Sequence, residues 1–214
     1  MKNFEIVYYS CNTHLPEIDE LCRRELSKSN LPIISVSLNK DLEFGDVRIK
    51  INGERSPLML HKQVALGLSV STSKYVFLAE SDVLYHSSHF KFIPPTDDKY
   101  YININLWKMR WKDGFCVRTD NSQQISGTVA NRRLLLEFFL KRIEEIENNG
   151  FDRHYEPPAS LRVNYQSEFP NVCIRHDNNL TVSKWSPDDY RNEKYSKGWK
   201  ESTIKDLPYW NNIL

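Results

Sequence analysis

The sequence has no glycine-rich phosphate loop. No G-x-G-x-x-G follows its first apolar run, which argues against a nicotinamide-dependent dehydrogenase. Glycine is scarce throughout, 7 of 214 residues, and the polar segment Ser10-Cys11-Asn12-Thr13 after that run contains none. Cysteine is also sparse: four, at positions 11, 22, 116 and 173, with no C-x-x-C pair. A zinc ribbon and a thiol redox motif are therefore not expected. Four scattered cysteines at this length do not make a disulfide scaffold, so reduced thiols in a cytoplasmic protein are the simpler expectation. Charge of one sign is missing too. Lys and Arg total 29, Asp and Glu 28, for a formal net charge of +1. That balance argues against coating nucleic acid by bulk charge but leaves room for a local basic groove. No apolar run approaches the roughly 20 residues that cross a bilayer. Met1-Lys2-Asn3-Phe4-Glu5 lacks the apolar core of a signal peptide. No transmembrane segment is expected, and the sequon Asn179-Leu180-Thr181 is read as chance.

A core is affordable. Hydrophobic residues make up 40% and aromatics 12%, enough for one globular domain. Phe4-Glu5-Ile6-Val7-Tyr8-Tyr9 reads as a buried strand. A polar loop follows, then a helix from Pro16 through Leu21 and Leu26, then a strand over Leu31 to Leu38. This is the β-α-β order of a parallel sheet. Asn39 to Arg55 reads as a loop or a short hairpin. Ser56-Pro57 has helix-start chemistry, and Tyr75-Val76-Phe77-Leu78-Ala79 is the third and most apolar strand. Beyond it the pattern loosens. Tyr100 to Leu106 and Phe115-Cys116-Val117 read as shorter strands, Asn131 to Asn148 as a long helix closed by Gly150, and the rest from Tyr155 as loop-rich. The expected architecture is one α/β domain whose first half, 1–98, suits a nucleotide and whose irregular second half, 99–214, suits another ligand.

The densest chemistry is Glu80-Ser81-Asp82, where the most apolar strand ends. Ligands of open α/β sheets bind beyond the carboxyl ends of the strands. Two carboxylates one residue apart crowd negative charge, and a divalent cation bridging phosphates would relieve it. A solvated strand end is the plain alternative. Late in the chain, Val172-Cys173-Ile174-Arg175-His176 reads as a short strand that delivers an imidazole to a metal held by Asp82, with Arg175 near phosphate. Five other histidines (14, 61, 86, 89 and 154) show that the type is not rare here.

The segment KYVFLAESDVLYHSSHFKFIPP, from Lys74 to Pro95, resembles the metal-site region of bacterial and phage glycosyltransferases of the A-type, or GT-A, nucleotide-diphospho-sugar transferase fold. LPIISVSLNKDLEFG resembles their second strand and following loop, and Tyr101-Ile102-Asn103-Ile104-Asn105-Leu106-Trp107 their Asn-rich strand. Ser126-Gly127 through Arg132-Arg133 resembles the start of the acceptor-side helix, and Phe169-Pro170-Asn171 through Thr181 the terminal Arg-His motif. The triplet departs from the family pattern by opening with Glu80.

This resemblance implies a Rossmann-like, mostly parallel sheet flanked by helices. It implies an enzyme that moves a sugar from a nucleotide donor, UDP-sugar by default, to an acceptor hydroxyl with inversion. Tyr9, Ser10 and Asn12, with Cys11 between, would embrace base and ribose. Asp82 and His176 would hold Mn2+ or Mg2+ on the diphosphate, with Glu80, Ser81 and Arg175 also on the donor. Glu156 would be the base, with Asp152 in reserve after the Gly150-Phe151-Asp152 turn; the plain alternative is that Asp152 caps that turn and Glu156 is solvated. Gln123, Gln124, Ser126, Gly127 and Trp107 are candidates for the acceptor side, where helix entry and core packing are the plain alternatives. Lys194, Lys197 and Lys200 could touch an anionic acceptor or simply be solvated. The acceptor stays open among a glycan or lipid-linked precursor, a protein and a hydroxymethylated base of phage DNA. Two other readings remain: a nucleotidyltransferase, disfavoured by the glycine-free first loop, and a non-catalytic nucleotide- or sugar-binding module.

Overall fold

The computed structural model of the chain describes residues 3–120, 122–152, 156–190 and 195–212. The expected β-α-β start forms as β1 (Phe4–Ser10), α1 (Pro16–Ser27) and β2 (Ile33–Leu38). Pro16 opens α1 where its missing N–H costs nothing, and Glu17 and Asp19 in the first turn complement the helix dipole. The stretch read as a loop or hairpin instead yields β3 (Val47–Ile51), parallel to β2 with Ile34 opposite Val47. Its Arg48 and Lys50 alternate with apolar residues. They give a half-exposed edge strand that looks like loop in sequence and resists further pairing.

α2 (Pro57–Val70) is capped by Ser56, whose Oγ accepts the Met59 amide at 3.2 Å. The helix leads into β4 (Tyr75–Glu80) and the two-residue β5 (Val83–Leu84). Gly67 lets α2 lie directly on the sheet, since a Cβ there would stand 2.6 Å from Val7 Cγ1.

The expected strand over 100–106 is split. β6 (Tyr100–Asn103) and β7 (Leu106–Arg110) belong to different sheets. The buried Asn103 side chain holds the bend, its Oδ1 accepting the amides of Asn105 at 3.0 Å and Ser167 at 3.2 Å. β8 (Phe115–Arg118) and β9 (Thr128–Asn131) precede the long helix α3 (Arg132–Asn149), which Asn131 caps and Gly150 ends at φ +78°. The loop-rich remainder still supplies β10 (Arg162–Tyr165), β11 (Asn171–Arg175) and β12 (Lys200–Thr203).

Seven strands form the main sheet in the order β10-β6-β9-β4-β1-β2-β3, and five form the second in the order β12-β8-β7-β11-β5. In the main sheet β9 alone runs against its neighbours, so the sheet is mostly parallel. Strands from before and after residue 98 enter both sheets. α2 and α3 cover one face of the main sheet through Val64, Leu68, Leu135 and Phe139. α1 covers the second sheet through Ile18, Leu21 and Cys22, beside the fully buried Trp210. No helix among the described residues is long and apolar enough to cross a membrane.

One consequence of the strand order positions the site. β1 connects to β2 on one side and has β4 on the other. The chain thus reverses its direction of travel across the sheet at β1, and a crevice opens between the carboxyl ends of β1 and β4.

Candidate functional site

Glu80, Ser81 and Asp82 stand at that crevice, Glu80 being the last residue of β4 and in register with Tyr9 of β1. The turn is held from behind. Tyr85 Oη accepts the Glu80 amide at 2.9 Å and donates to the Ser126 carbonyl at 2.9 Å. β5 then pairs antiparallel with β11, and the Ile174 amide donates to the Asp82 carbonyl at 2.7 Å. This pairing carries Arg175 and His176 to the triplet from 93 residues further along the chain, the separation of 83 and 176.

Asn179 donates through Nδ2 to Asp82 Oδ2 at 2.7 Å, while its Oδ1 accepts the His176 amide at 2.6 Å. His176 Nε2 lies 4.0 Å from Asp82 Oδ2, and its Nδ1 accepts the Asn178 amide at 3.2 Å. A third group joins them from the loop after β1. His14 packs edge-on against His176, ring centroids 4.8 Å apart, and directs Nδ1 at Asp19 Oδ1 of α1 over 3.1 Å. One ligand atom each from His14, Asp82 and His176 lie within 4.8 Å of one another. Asp82 Oδ1 and His176 Nε2 are buried without a hydrogen-bond partner. Each such orphan costs about 1–3 kcal/mol. A divalent cation would relieve the carboxylate oxygen directly, and the ring nitrogen once its proton is displaced. The donor set therefore fits a metal of the kind the resemblance implies.

The electrostatics agree with a site built for positive charge. Burial, and then the neighbouring Asp82, push the Glu80 carboxyl up to about 8, with Arg175 and His14 opposing. Burial would lower His14, but the hydrogen bond to Asp19, with help from Cys11 and Asp82, holds it up at about 10. Burial raises the Cys11 thiol, yet hydrogen bonds from His14 and Thr13 bring it down to about 7. His176 is held below its ordinary value by burial and by His14.

Other residues expected at the site fall into two groups. Tyr9, Glu80, Ser81 and Asp82 line the crevice together with Arg55 and Gln63. The Tyr9 hydroxyl is buried without a partner, and burial raises its pKa strongly. Ser10 and Asn12 build the loop: Asn12, at φ +56°, spends its Nδ2 on Ser37 Oγ and the Leu38 carbonyl at 2.8 and 2.7 Å. Arg175 is braced by Ser183 Oγ at 2.6 Å and by the Thr181 carbonyl.

Gln124, Ser126 and Gly127 form the short turn that Tyr85 ties to the triplet. A Cβ on Gly127 would come within 3.2 Å of the Asn103 carbonyl, so the turn is close-packed there. Trp107 packs in the cluster between α1 and the second sheet, which is a core position. Asp152 is exposed and bound by Arg142 Nη2 at 2.7 Å. Lys62 and Glu147, 2.6 Å apart, join α2 to the end of α3. Glu156 is half-buried. His154 and Lys194 lie outside the described residues, and Lys197 and Lys200 are exposed.

The sequence reading passes over His14, Arg55, Gln63 and Asn179. Gln63 donates to the Ser10 and Val36 carbonyls at 2.9 and 3.0 Å, pinning both strand ends beneath the crevice. Arg55 donates to the Asn178 carbonyl, and Asn178 Nδ2 to the Thr13 carbonyl at 2.9 Å. The segment after β11 is thereby clasped onto the loop after β1. For His14 a signal was available: a histidine in the loop at the carboxyl end of the first strand.

No model of a known protein family matches the chain, and no curated protein does. Among solved structures, a glycosyltransferase involved in the glycosylation of the major capsid of PBCV-1 matches with a TM-score of 0.49 and 8% identity, over 83% of this chain and 94% of its own. The apo-form glycosyltransferase GlyE of Streptococcus pneumoniae TIGR4 matches with a TM-score of 0.43 and 12% identity, over 73% of this chain and 41% of its own. The inositol-1-phosphate CTP transferase of T. maritima matches with a TM-score of 0.40 and 13% identity, over 91% and 94%. These likenesses concern chain path alone.

Proposed function

We propose that this chain is a metal-dependent glycosyltransferase that moves a sugar from a nucleotide-diphospho-sugar to an acceptor hydroxyl, with inversion. The observation that carries the reading is the meeting of Asp82, His176 and His14 at the crevice between β1 and β4, with buried donor atoms left unpaired. That is where an open α/β sheet binds a nucleotide, and a charged diphosphate needs a counter-charge there.

Asp82 and His176 would hold the cation, Mn2+ or Mg2+ by resemblance. When bound, it supplies positive charge to offset what develops on the departing nucleoside diphosphate. Arg175, fixed by Ser183 and Thr181, adds permanent charge on the same side. The loop of Tyr9, Ser10 and Asn12 is rigid enough to receive base and ribose. Glu80, buried at the end of β4 beside Asp82, would turn its carboxyl to a sugar hydroxyl of the donor. Glu156 is assigned as the base that takes the acceptor proton, because Asp152 is already engaged by Arg142. Gln124, Ser126 and Gly127 face the acceptor. UDP-sugar as donor, and a glycan or a hydroxymethylated DNA base as acceptor, complete the reading.

Donor hydrolysis tests it. The purified protein with Mn2+ and a panel of nucleotide sugars should slowly release nucleoside diphosphate, and Asp82→Asn should abolish release. Tight nucleotide binding without release from any donor would establish a binding module instead. Release of pyrophosphate from a nucleoside triphosphate and a sugar phosphate would establish a nucleotidyltransferase.

A further inference from the structure

We propose that the face of the second sheet turned away from α1 holds an anion site, built on Lys108 with Lys184 and bordered by Arg175, that receives a phosphate or carboxylate group carried by the acceptor. That the anion belongs to an acceptor rests on the transferase reading above; the site itself rests on this sheet's own side chains.

Register decides which side chains share that face. Lys108 is paired with Cys173 of β11 and with Val117 of β8, and Arg110 with Arg175 of β11. Paired residues point the same way, and successive residues along a strand point opposite ways. Met109, Cys116, Val172 and Ile174 pack in the cluster with α1 and Trp210, so Lys108, Arg110 and Arg175 stand on the other face. The segment after β11 crosses it. Arg175 donates to Ser183 Oγ at 2.6 Å and to the Thr181 carbonyl. The Trp185 ring lies over the Arg110 guanidinium, 5.2 Å from its centroid, beside Phe115. Asp189 fixes the turn, its Oδ2 accepting the Trp185 and Ser186 amides at 2.8 and 2.9 Å. Lys184, next to Trp185, places its Nζ 4.4 Å from the Tyr190 ring centroid.

The cations of this face are not equally neutralised. Arg110 has the Asp113 carboxylate at 2.6 Å. Arg175 has a hydroxyl and a carbonyl. Lys108 is half-buried, and among the described residues its ammonium has neither a hydrogen bond nor an ion pair. Burial lowers its pKa, the Cys173 sulfur opposes, and the charges of Arg175 and Lys184 lower it further; no carboxylate acts on it. A half-buried ammonium facing two like charges is costly, and an anion among the three relieves that cost. Phosphate and carboxylate both accept short, strong hydrogen bonds from ammonium groups. Placement says what the anion belongs to. Arg175 acts on the Glu80 carboxyl in the crevice, whereas neither Glu80 nor Asp82 acts on Lys108. β7 is the neighbour of β11 on the side away from β5, so Lys108 stands one strand further out than the residue assigned to the donor diphosphate. That is a place for the second substrate.

The test titrates the full chain with inorganic phosphate and with acetate by calorimetry, with and without UDP and Mg2+. At least one anion should bind, and should still bind when UDP is present; which of the two binds more tightly tells phosphate from carboxylate. Lys108→Met should weaken the binding about 10-fold or more, and Lys184→Gln by a smaller factor. On heating, Lys108→Met should unfold no earlier than the parent, because it removes an unpaired charge and keeps the stem, whereas a lysine kept for the fold would lower the midpoint. Should Lys108→Met fail to fold, Lys184→Gln decides alone: undiminished anion binding overturns the proposal. It is also overturned if neither anion binds, if Lys108→Met binds them like the parent, or if UDP displaces them. Loss of UDP binding in a folded Lys108→Met would place Lys108 on the donor and overturn it as well. Anion binding with these properties, but no donor hydrolysis, would leave the site standing and sink the transferase reading.

Discussion

Asn179 Nδ2 donates to Asp82 Oδ2 at 2.7 Å, across 97 positions of sequence. The same amide group accepts the His176 backbone N–H. One neutral side chain therefore sets the aim of a carboxylate and the path of the segment that carries the imidazole. The sequon made by Asn179, Leu180 and Thr181 has a structural use that owes nothing to glycosylation.

Removing that amide should loosen the site without unfolding it. Asn179→Ala is expected to lower affinity for a divalent cation by about 10-fold, the lower range for an outer-shell partner. Donor hydrolysis should fall in step. Thermal unfolding with and without Mn2+ gives the readout: the midpoint of the metal-free protein should move little, and the metal-induced increase should shrink. An unchanged increase would show that Asn179 does not orient Asp82.

Tyr85 offers a separate test, of stability. Its hydroxyl satisfies both the Glu80 amide and the Ser126 carbonyl at 2.9 Å. Tyr85 is 1% exposed, so no water replaces it. Tyr85→Phe keeps the ring and strands two backbone groups, at about 1–3 kcal/mol for each left unpaired. Urea unfolding should show a lower midpoint at an unchanged slope. Because the bond spans the triplet and the Gln124–Gly127 turn, donor hydrolysis should also suffer.

Much of the site was legible in sequence because its parts sit at strand ends. Phe4–Ser10 and Tyr75–Glu80 are unbroken apolar runs that stop abruptly, and their ends mark the crevice. The convergence of His176 on Asp82 was also readable, from a short apolar strand closing in Arg-His. What could not be read was held by single polar contacts between distant segments. His14 becomes a site residue through Asp19 on the next helix. Asn103 turns one expected strand into two by capturing Asn105 and Ser167. β3 hides because its alternate residues are charged. Hydrophobic periodicity registers none of these.

His89 gives a pH dependence whose sign is fixed by burial. It is fully buried, with Nδ1 2.9 Å from Tyr165 Oη and 3.1 Å from Asn103 Nδ2, and burial lowers it from 6.5 to about 3. Above pH 6.5 the ring is neutral folded or unfolded, and its titration adds no pH dependence. Between 6.5 and about 3 the unfolded chain binds a proton that the native state refuses. Stability therefore declines as pH falls through that window, by at most about 1.4 kcal/mol per pH unit from this group. His89→Gln should be less stable at pH 7 yet show a shallower decline between pH 6.5 and 4. Parallel curves for the two proteins would show that another group governs the acid limb.

The partner of Asp152 bears on which carboxylate serves as base. Asp152 Oδ1 accepts Arg142 Nη2 at 2.7 Å, and Arg142 also grips Glu145 at 2.7 Å on the last turns of α3. A carboxylate so engaged stabilises the turn after the helix, and taking a proton from an acceptor would mean giving up its guanidinium partner. Asp152→Asn should therefore lower the unfolding midpoint slightly, within the ~0.2–1 kcal/mol typical of an exposed ion pair. It should leave transfer within a small factor of the parent. Glu156→Gln should do the reverse. It should keep the fold and the affinity for donor while transfer to acceptor drops by about 100-fold or more, the usual contribution of a general base. Measuring donor affinity and transfer on both variants separates the roles, and full transfer by Glu156→Gln would take Glu156 out of the mechanism.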